Sequence, residues 1–518
     1  MRVKIIPIAL ACVLFSCMSC NPGSVLGDNS DDVTDNGNTD DNDNDSTNTT
    51  EKSSDYIWTN SDVTAITLNT NAISSTSSNV TISGTTATIT KAGSYSVSGN
   101  LTNGQLVVNT DTGVVKIQLN GITLNNSSTS PLYLKKADKA ILFLAEASVN
   151  SITDGSSYAS SEEPNAAIFS NIYLAFTGSG SLTVKGNYND AISSDDELII
   201  HNGNITVTGK DDAIRAKDYV KVENGTINAS ATTGNSLKAE NTVDKGYGYV
   251  EVDGGTLNLT STSGDGLHAS KRIIINSGEL SVTASANQGM HSDSLVLING
   301  GTTVIKGSNE GIESPYITMT DGNLSIASTD DGINATFGNG GESNDNSMFT
   351  MAGGYMAINA TTGDGLDSNG NIKMTGGTVV VHGPKSQPEV GLDYNGTFII
   401  SGGFLVISGI YSNMTQATSN TSTQCAVKIN TSSALTTSTL LHIEDASGKQ
   451  LVTFKPAKSY SSVIFSSESL IKGSTYSIYT GGTSTGTLTD GLYTGGTYSG
   501  GTLKKTFTVS GAVTSVSL

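Results

Sequence analysis

Apolar residues along this chain alternate with polar ones in short runs, each closed by Gly, Asn, Asp or Ser, as in "RIIINSGELSVTAS" and "LVLINGGTTVIKG". A period of two marks strands with one face in a core, and stretches with the 3.6-residue period of a helix are hard to find. The expected class is all β. Gly, Ser, Thr, Asn and β-branched residues dominate while Pro is scarce, with 8 in 518 residues, which agrees with that class.

The alternation is itself periodic. Aligned on one apolar position, the chain reads "NDAISSD" at Ile192, "DDAIRAK" at Ile214, "GNSLKAE" at Leu237, "GDGLHAS" at Leu267, "NQGMHSD" at Met290, "NEGIESP" at Ile312, "DDGINAT" at Ile333, "GDGLDSN" at Leu366 and "EVGLDYN" at Leu392. The steps are 22, 23, 30, 23, 22, 21, 33 and 26 residues, the long ones carrying insertions such as "NTVDKGYG" and "FGNGGESNDNS". About 22 residues holding three short strands is one coil of a right-handed parallel β-helix, each strand pairing with its equivalent in the next coil. A coil buries its apolar face only by stacking on its neighbours. Weaker coils are expected around Leu106, Leu132 and Ile168. The Gly pairs at 254/255, 300/301, 353/354, 376/377 and 402/403 recur at one turn of the coil and read as structural. After Gly409 the repeat stops, and ordinary strands such as "LLHIED" and "TYSIYT" predict a C-terminal β region that caps the open end. There "GTSTG", Gly482 to Gly486, matches the esterase pattern but lacks its strand-to-helix elbow, so it reads as a turn.

The N-terminus departs from this pattern. "MRVKIIPIALACVLFSCMSC" has a basic start, an apolar run and small residues before cysteine, which is a secretory signal. Leu14 to Cys17 resemble a bacterial lipobox, so Cys17, with Cys20 as the alternative, is the expected lipidation site of an exported outer-membrane or cell-surface lipoprotein. Residues 21–58 form an acidic, low-complexity linker. Asp41, Asp43 and Asp45 imitate an EF-hand start, but Lys52 stands where the closing Glu belongs. The expected domains are therefore 1–20 signal and lipobox, 21–58 linker, 59–410 β-helix and 411–518 β cap.

Charge narrows the partners. Of the net −20, the segment Asp28 to Asp55 carries ten acids and one lysine, and the acidity left in the folded part disfavours nucleic acid. Only Cys425 lies in the folded part, so neither an internal disulfide nor a Cys-based metal site is expected. Contact with the membrane is expected only through the lipid, and the chain is expected to be a monomer.

Stacking turns single residues into columns. The position after each aligned apolar residue points outward and runs Tyr133, Phe169, Ser193, Arg215, Lys238, His268, His291, Glu313, Asn334, Asp367 and Asp393. Its middle is basic and its end acidic. Arg215, Lys238, His268 and His291 would meet successive carboxylates of a uronate chain, whose rise per sugar is comparable to one coil. His268 and His291, one coil apart, are expected to line that groove rather than share a transition metal. The turn entering the strand carries a second column of Asp and Asn, which suit turns because they hydrogen-bond to nearby backbone. Its doubled acids ask for a cation: Glu310, Asp330, Asp331, Asn334, Asp364 and Asp367 form one candidate Ca²⁺ site, and Asp190, Asp211 and Asp212 a second.

"DDAIRAKDYVKVENG", "NSLKAEN", "KGYGYVEVDGGTLNL" and "GDGLHA", with "YSSVIFSSESLIKGSTYSIYTGG" nearer the C-terminus, resemble the bacterial carbohydrate-binding β-helix family. The resemblance covers most of residues 60 to 510. It implies binding of acidic polysaccharide and calcium on a scaffold related to pectate lyases. Asn235 and Ser236 stand where that family's pattern has Asp-Gly, which weakens a calcium site in that coil. The competing expectation is a calcium-dependent polysaccharide lyase, with Lys238 as the base; neighbouring carboxylates oppose that role by raising its pKa. A structural or adhesive surface protein is the third.

Overall fold

The computed structural model describes residues 52–159, 164–338 and 343–518. The chain divides into Met1–Asn48 and Thr49–Leu518, and every described residue lies in the second unit. The signal segment, Cys17, Cys20 and the acidic run through Glu51 lie outside the described residues.

Alternation and repetition produce an all-β chain with large parallel sheets. A first column of strands forms a 13-stranded sheet, parallel from Thr86–Ile89 through Gln105–Asn109, Leu132–Lys136, Ala166–Ser170 and Asp190–Ser194 to Leu366–Ser368. Its register follows the repeat: Ile192 pairs with Ile214, Ile214 with Leu237, Leu237 with Leu267, Leu267 with Met290, Met290 with Ile312, Ile312 with Ile333 and Ile333 with Leu366. Leu366 bridges to Leu392. A second column runs from Lys139–Leu144 through Tyr173–Gly178 and Leu198–Ile200, and a third from Val149–Thr153 through Ser181–Gly186 and Asn204–Gly209. Val114–Asn125 pairs with both Lys139–Leu144 and Val149–Thr153, joining the two columns in one 29-stranded network.

Stacking places equivalent residues of successive coils over one another, so one core runs the length of the solenoid. Ile192, Ile214, Leu237, Leu267, Met290, Ile312 and Ile333 are completely buried, and Leu366 and Leu392 nearly so. Truncating one of them to Ala would remove about 2–5 kcal/mol. From Gly266 to Gly391, close approach also governs the residue before the aligned apolar position. A Cβ on Gly311 would lie 2.2 Å from the Gly332 carbonyl oxygen, and one on Gly332 would lie 2.5 Å from that of Gly365. Each Gly pair named above turns at its second member, with φ between 74° and 95°.

The chain ends differ from expectation in two respects. Residues 52–58, assigned to the linker, are folded: Ser53–Tyr56 is a 3₁₀ turn, and Lys139 and Asp55 form a buried ion pair at 2.8 Å. Tyr56 and Trp58 pack with Phe143 and Tyr173 against the outer side of the second column. The linker reading failed here because two aromatics beside a run of acids do not lower its mean polarity enough to register. Residues 411–518 divide between two sheets that share one core with Val380 and Val406 of the last coils. Tyr460–Ser466 closes the third column by pairing antiparallel with Phe404–Gly409, and it pairs on its other edge with Ala426–Leu435. A separate six-stranded sheet takes the strands from Leu441–Asp445 to Tyr498–Thr508. Ser484 of "GTSTG" lies on an antiparallel strand opposite Tyr498, without an elbow.

Candidate functional site

The outward column predicted from the alternation is present. Tyr133, Phe169, Ser193, Arg215, Lys238, His268, His291, Glu313, Asn334 and Asp367 are register partners in turn along the first sheet. It does not face solvent throughout: Phe169 and Ser193 are fully buried, and from Arg215 onward the residues are half-buried.

The four basic residues are already matched to acids. The Arg215 guanidinium donates to Ser193 Oγ at 2.8 Å and to Glu240. Lys238 Nζ lies 3.4 Å from Asp212 and 3.0 Å from Glu240. Burial lowers the pKa of Lys238, but Asp212 and Glu240 outweigh it, so the net displacement is upward. Asp265 Oδ2 lies 2.9 Å from His268 Nδ1 and 3.5 Å from His291 Nδ1.

The turn column has a structural task that spans coils. Asp190 Oδ1 accepts the Asp212 amide at 3.1 Å, Asp212 Oδ1 that of Asn235 at 2.6 Å, Asn235 Oδ1 that of Asp265 at 2.8 Å, and Asp265 Oδ1 that of Gln288 at 3.2 Å. The pattern returns with Asp331 Oδ1 accepting the Asp364 amide at 2.6 Å and Asp364 Oδ1 that of Val390 at 2.5 Å. Each short side chain thus satisfies a buried donor one coil further on, rather than within its own turn as expected. Gln288 and Glu310 carry one more methylene and engage other side chains: Gln288 donates to Glu313 at 2.5 Å, and Glu310 accepts from Asn334 at 3.3 Å.

The two expected calcium clusters fare differently. Asp190, Asp211 and Asp212 each place an oxygen within 4.8 Å of the others. Burial and Asp212 push the Asp190 carboxyl up to about 7, against the pull of Arg215. Lys238 and Arg215 therefore already supply positive charge there. The C-terminal cluster regroups around Asp364, Asp367 and Asp393, again within 4.8 Å. Burial pushes Asp364 up to about 8, helped by Asp331, Asp393 and Glu389, and opposed by the Val390 amide. Asp331 is pushed up to about 7 by burial and by Asp330, Glu389 and Asp393, against the Asp364 amide. Burial, Glu313 and Asp331 push Glu310 up to about 8. Asn334 Oδ1, beside Glu310, is buried with no hydrogen-bond partner. All-oxygen donors, acids raised by burial and by one another, and an orphaned carbonyl oxygen fit a Ca²⁺ ion, whose bonds of about 2.3–2.6 Å span ligand oxygens up to roughly 5 Å apart.

A carbohydrate-binding domain-containing protein family matches residues 83–332 and 274–511, together spanning the stacked coils and most of the C-terminal region. The chain belongs to that family. A "carbohydrate-binding domain-containing protein" of Acetivibrio thermocellus is 36% identical over 126 residues, which is 23% of this chain and 43% of that relative. The match thus spans less than half of the relative's length. A solved structure described as the polysaccharide lyase-like protein from C. thermocellum, in a gadolinium derivative, covers 48% of this chain and 96% of its own at 26% identity, with a TM-score of 0.40.

Sequence reasoning missed three participants. Glu240 follows Lys238 by two residues, just past the end of the strand Leu237–Ala239, and reaches Arg215 of the preceding coil; period two combined with the coil step would have found it. Asp393 stood in the outward column but was not joined to the calcium set, because the 26-residue step to its coil obscured its distance from Asp367. Glu389 takes the repeat position of Asp211 and Asp330, but Val390 follows it where the coils from Asp190 to Asp364 carry Asp, Asn, Gln or Glu, so it was not joined to the turn column.

Proposed function

We propose that this protein is an exported carbohydrate-binding protein that holds acidic, uronate-type polysaccharide along the first column, with Ca²⁺ at the Asp331/Asp364/Asp367/Asp393 end. The observation that carries the reading is that cluster: acids raised first by burial and then by neighbouring acids, on the same column as the basic strip. Asp364, Asp367 and Asp393 would hold the ion, with Asp331 beside them. Bound there, Ca²⁺ supplies the positive charge that lets the carboxylates ionise, and it bridges to a sugar carboxylate. Arg215, Lys238, His268 and His291 provide the basic middle of the strip, attenuated by Glu240, Asp212 and Asp265. Asp190, Asp211 and Asp212 form a weaker second cation site, because Lys238 and Arg215 already offset their charge. The stack is taken as right-handed, the hand of nearly all parallel crossovers. Lipidation at Cys17, or Cys20, would fix the chain at the outer membrane or cell surface, with residues up to about 51 as tether.

The lyase alternative needs a base that is deprotonated near neutral pH. Lys238, held between Asp212 and Glu240 with its pKa raised, is poorly suited to that task. Incubation with polygalacturonate and calcium is therefore expected to give retention on the polymer without the ultraviolet-absorbing unsaturated product of β-elimination. Product that forms with wild type and vanishes in Lys238→Ala would overturn the reading in favour of catalysis.

A further inference from the structure

We propose that Asp265, His268 and His291 form a binding site for a divalent transition metal of the Zn²⁺ class, separate from the calcium cluster. The three residues come from two adjacent coils. Asp265 and His268 share the "GDGLHAS" unit, and His291 is the register partner of His268 in the next strand. The imidazoles meet edge to face with centroids 5.1 Å apart, and both turn Nδ1 toward one oxygen of Asp265. One ligand atom from each residue lies within 4.8 Å of the others.

The spacing fits a tetrahedral ion. Bonds of about 2.0–2.2 Å to nitrogen and oxygen place neighbouring ligand atoms roughly 3.3 Å apart. The two Asp265 oxygen to imidazole nitrogen distances, 2.9 and 3.5 Å, bracket that value, so an ion replaces the shared protons with movements of a few tenths of an ångström. Two imidazoles and one carboxylate are a donor set for Zn²⁺, Ni²⁺ or Cu²⁺, whereas Ca²⁺ takes oxygen.

Asp265 is held as metal-bound carboxylates usually are. Only 2% exposed, it accepts the Gln288 amide through Oδ1 at 3.2 Å, while its own amide donates to Asn235 Oδ1 at 2.8 Å. Its second oxygen, Oδ2, is thereby directed at the histidines, as outer-shell bonds orient ligands elsewhere. The imidazoles keep about a quarter of their surface in solvent, 23% for His268 and 28% for His291, so an ion has an entry path and water can complete its coordination. On the same column Lys238 precedes His268, but its ammonium is drawn toward Asp212 and Glu240; Glu313 follows His291 and adds negative charge on that side.

The test is a Zn²⁺ titration by calorimetry on the full chain, in excess Ca²⁺ to fill oxygen sites and with thiols blocked by iodoacetamide. One Zn²⁺ per chain is expected, weakened at least tenfold in His268→Gln and in His291→Gln. Asp265→Asn keeps an oxygen for the Gln288 amide and is also expected to weaken binding at least tenfold. No Zn²⁺ uptake by wild type, or uptake unchanged in both histidine variants, overturns the proposal. Should a variant misfold, Co²⁺ bound to wild type decides: an intense visible spectrum of a four-coordinate, nitrogen-bearing site supports the assignment, and the faint spectrum of six oxygens overturns it.

Discussion

Asp364→Asn isolates the charge on which the calcium reading depends. Asparagine keeps an oxygen to accept the Val390 amide, and so preserves the link between coils while deleting the carboxylate. In chelator, the wild-type carboxyl is pushed from its ordinary 3.8 to about 8, so between those values the folded chain holds a proton that the unfolded chain has released. The folded state binds more protons there, and stability falls as pH rises through that window. At about 1.4 kcal/mol for each tenfold gap in proton affinity, the penalty is about 2 kcal/mol at pH 5 and about 4 kcal/mol at pH 7. For some 460 folded residues the unfolding entropy makes 1 kcal/mol worth about 1 °C of Tm. The variant in chelator should therefore melt about 4 °C above wild type at pH 7 and about 2 °C above it at pH 5. Calcium should raise wild type more than the variant at pH 7. Calorimetric melts with EDTA and with Ca²⁺ at the two pH values test this. A variant that melts no higher than wild type in EDTA at pH 7, yet gains as much from calcium, refutes the reasoning.

Three further outcomes follow from named contacts. Glu240→Gln removes the acid that holds both Arg215 and Lys238, so affinity for polygalacturonate should rise about threefold to tenfold, the equivalent of about 1 kcal/mol, and should become more salt-sensitive; unchanged or weaker calorimetric affinity contradicts the basic strip. Gly311→Ala sets a methyl 2.2 Å from the backbone oxygen of Gly332 and should destabilise the stack by about 1–3 kcal/mol, read as a lowered denaturant midpoint. Lys139→Met leaves Asp55 buried without its partner and should weaken the N-terminal strap by about 3–5 kcal/mol. Trp58, the single tryptophan, packs 5.2 Å from Phe143 and reports that release as a red-shifted emission.

The alternation and repeat made the stacked register readable because every coil repeats the same decision: Ile214 must be buried, so must Leu237 and Leu267, and in-register pairing is the arrangement that buries all three. The outward column from Arg215 to Asp367 followed from the same period. What each member touches did not follow, since it depends on side-chain reach between coils. Asp212 is short enough to hold the Asn235 amide, whereas Glu310 and Gln288, one methylene longer, engage side chains instead. Glu389 shares the repeat position of Asp330 and was missed because Val390 replaces the second polar residue of the turn column there. The strap at Tyr56 and Trp58 was missed because two aromatics beside an acidic run carry no periodicity at all.

If calcium and acidic glycan are held together on the first column, glycan affinity depends on calcium. Calorimetric titration with soluble oligogalacturonate at fixed ionic strength, once with calcium and once with chelator, tests it most directly. Binding in calcium should weaken at least tenfold in chelator, with most of that dependence gone in Asp364→Asn. Equal affinity in both buffers, or no binding in either, would contradict it.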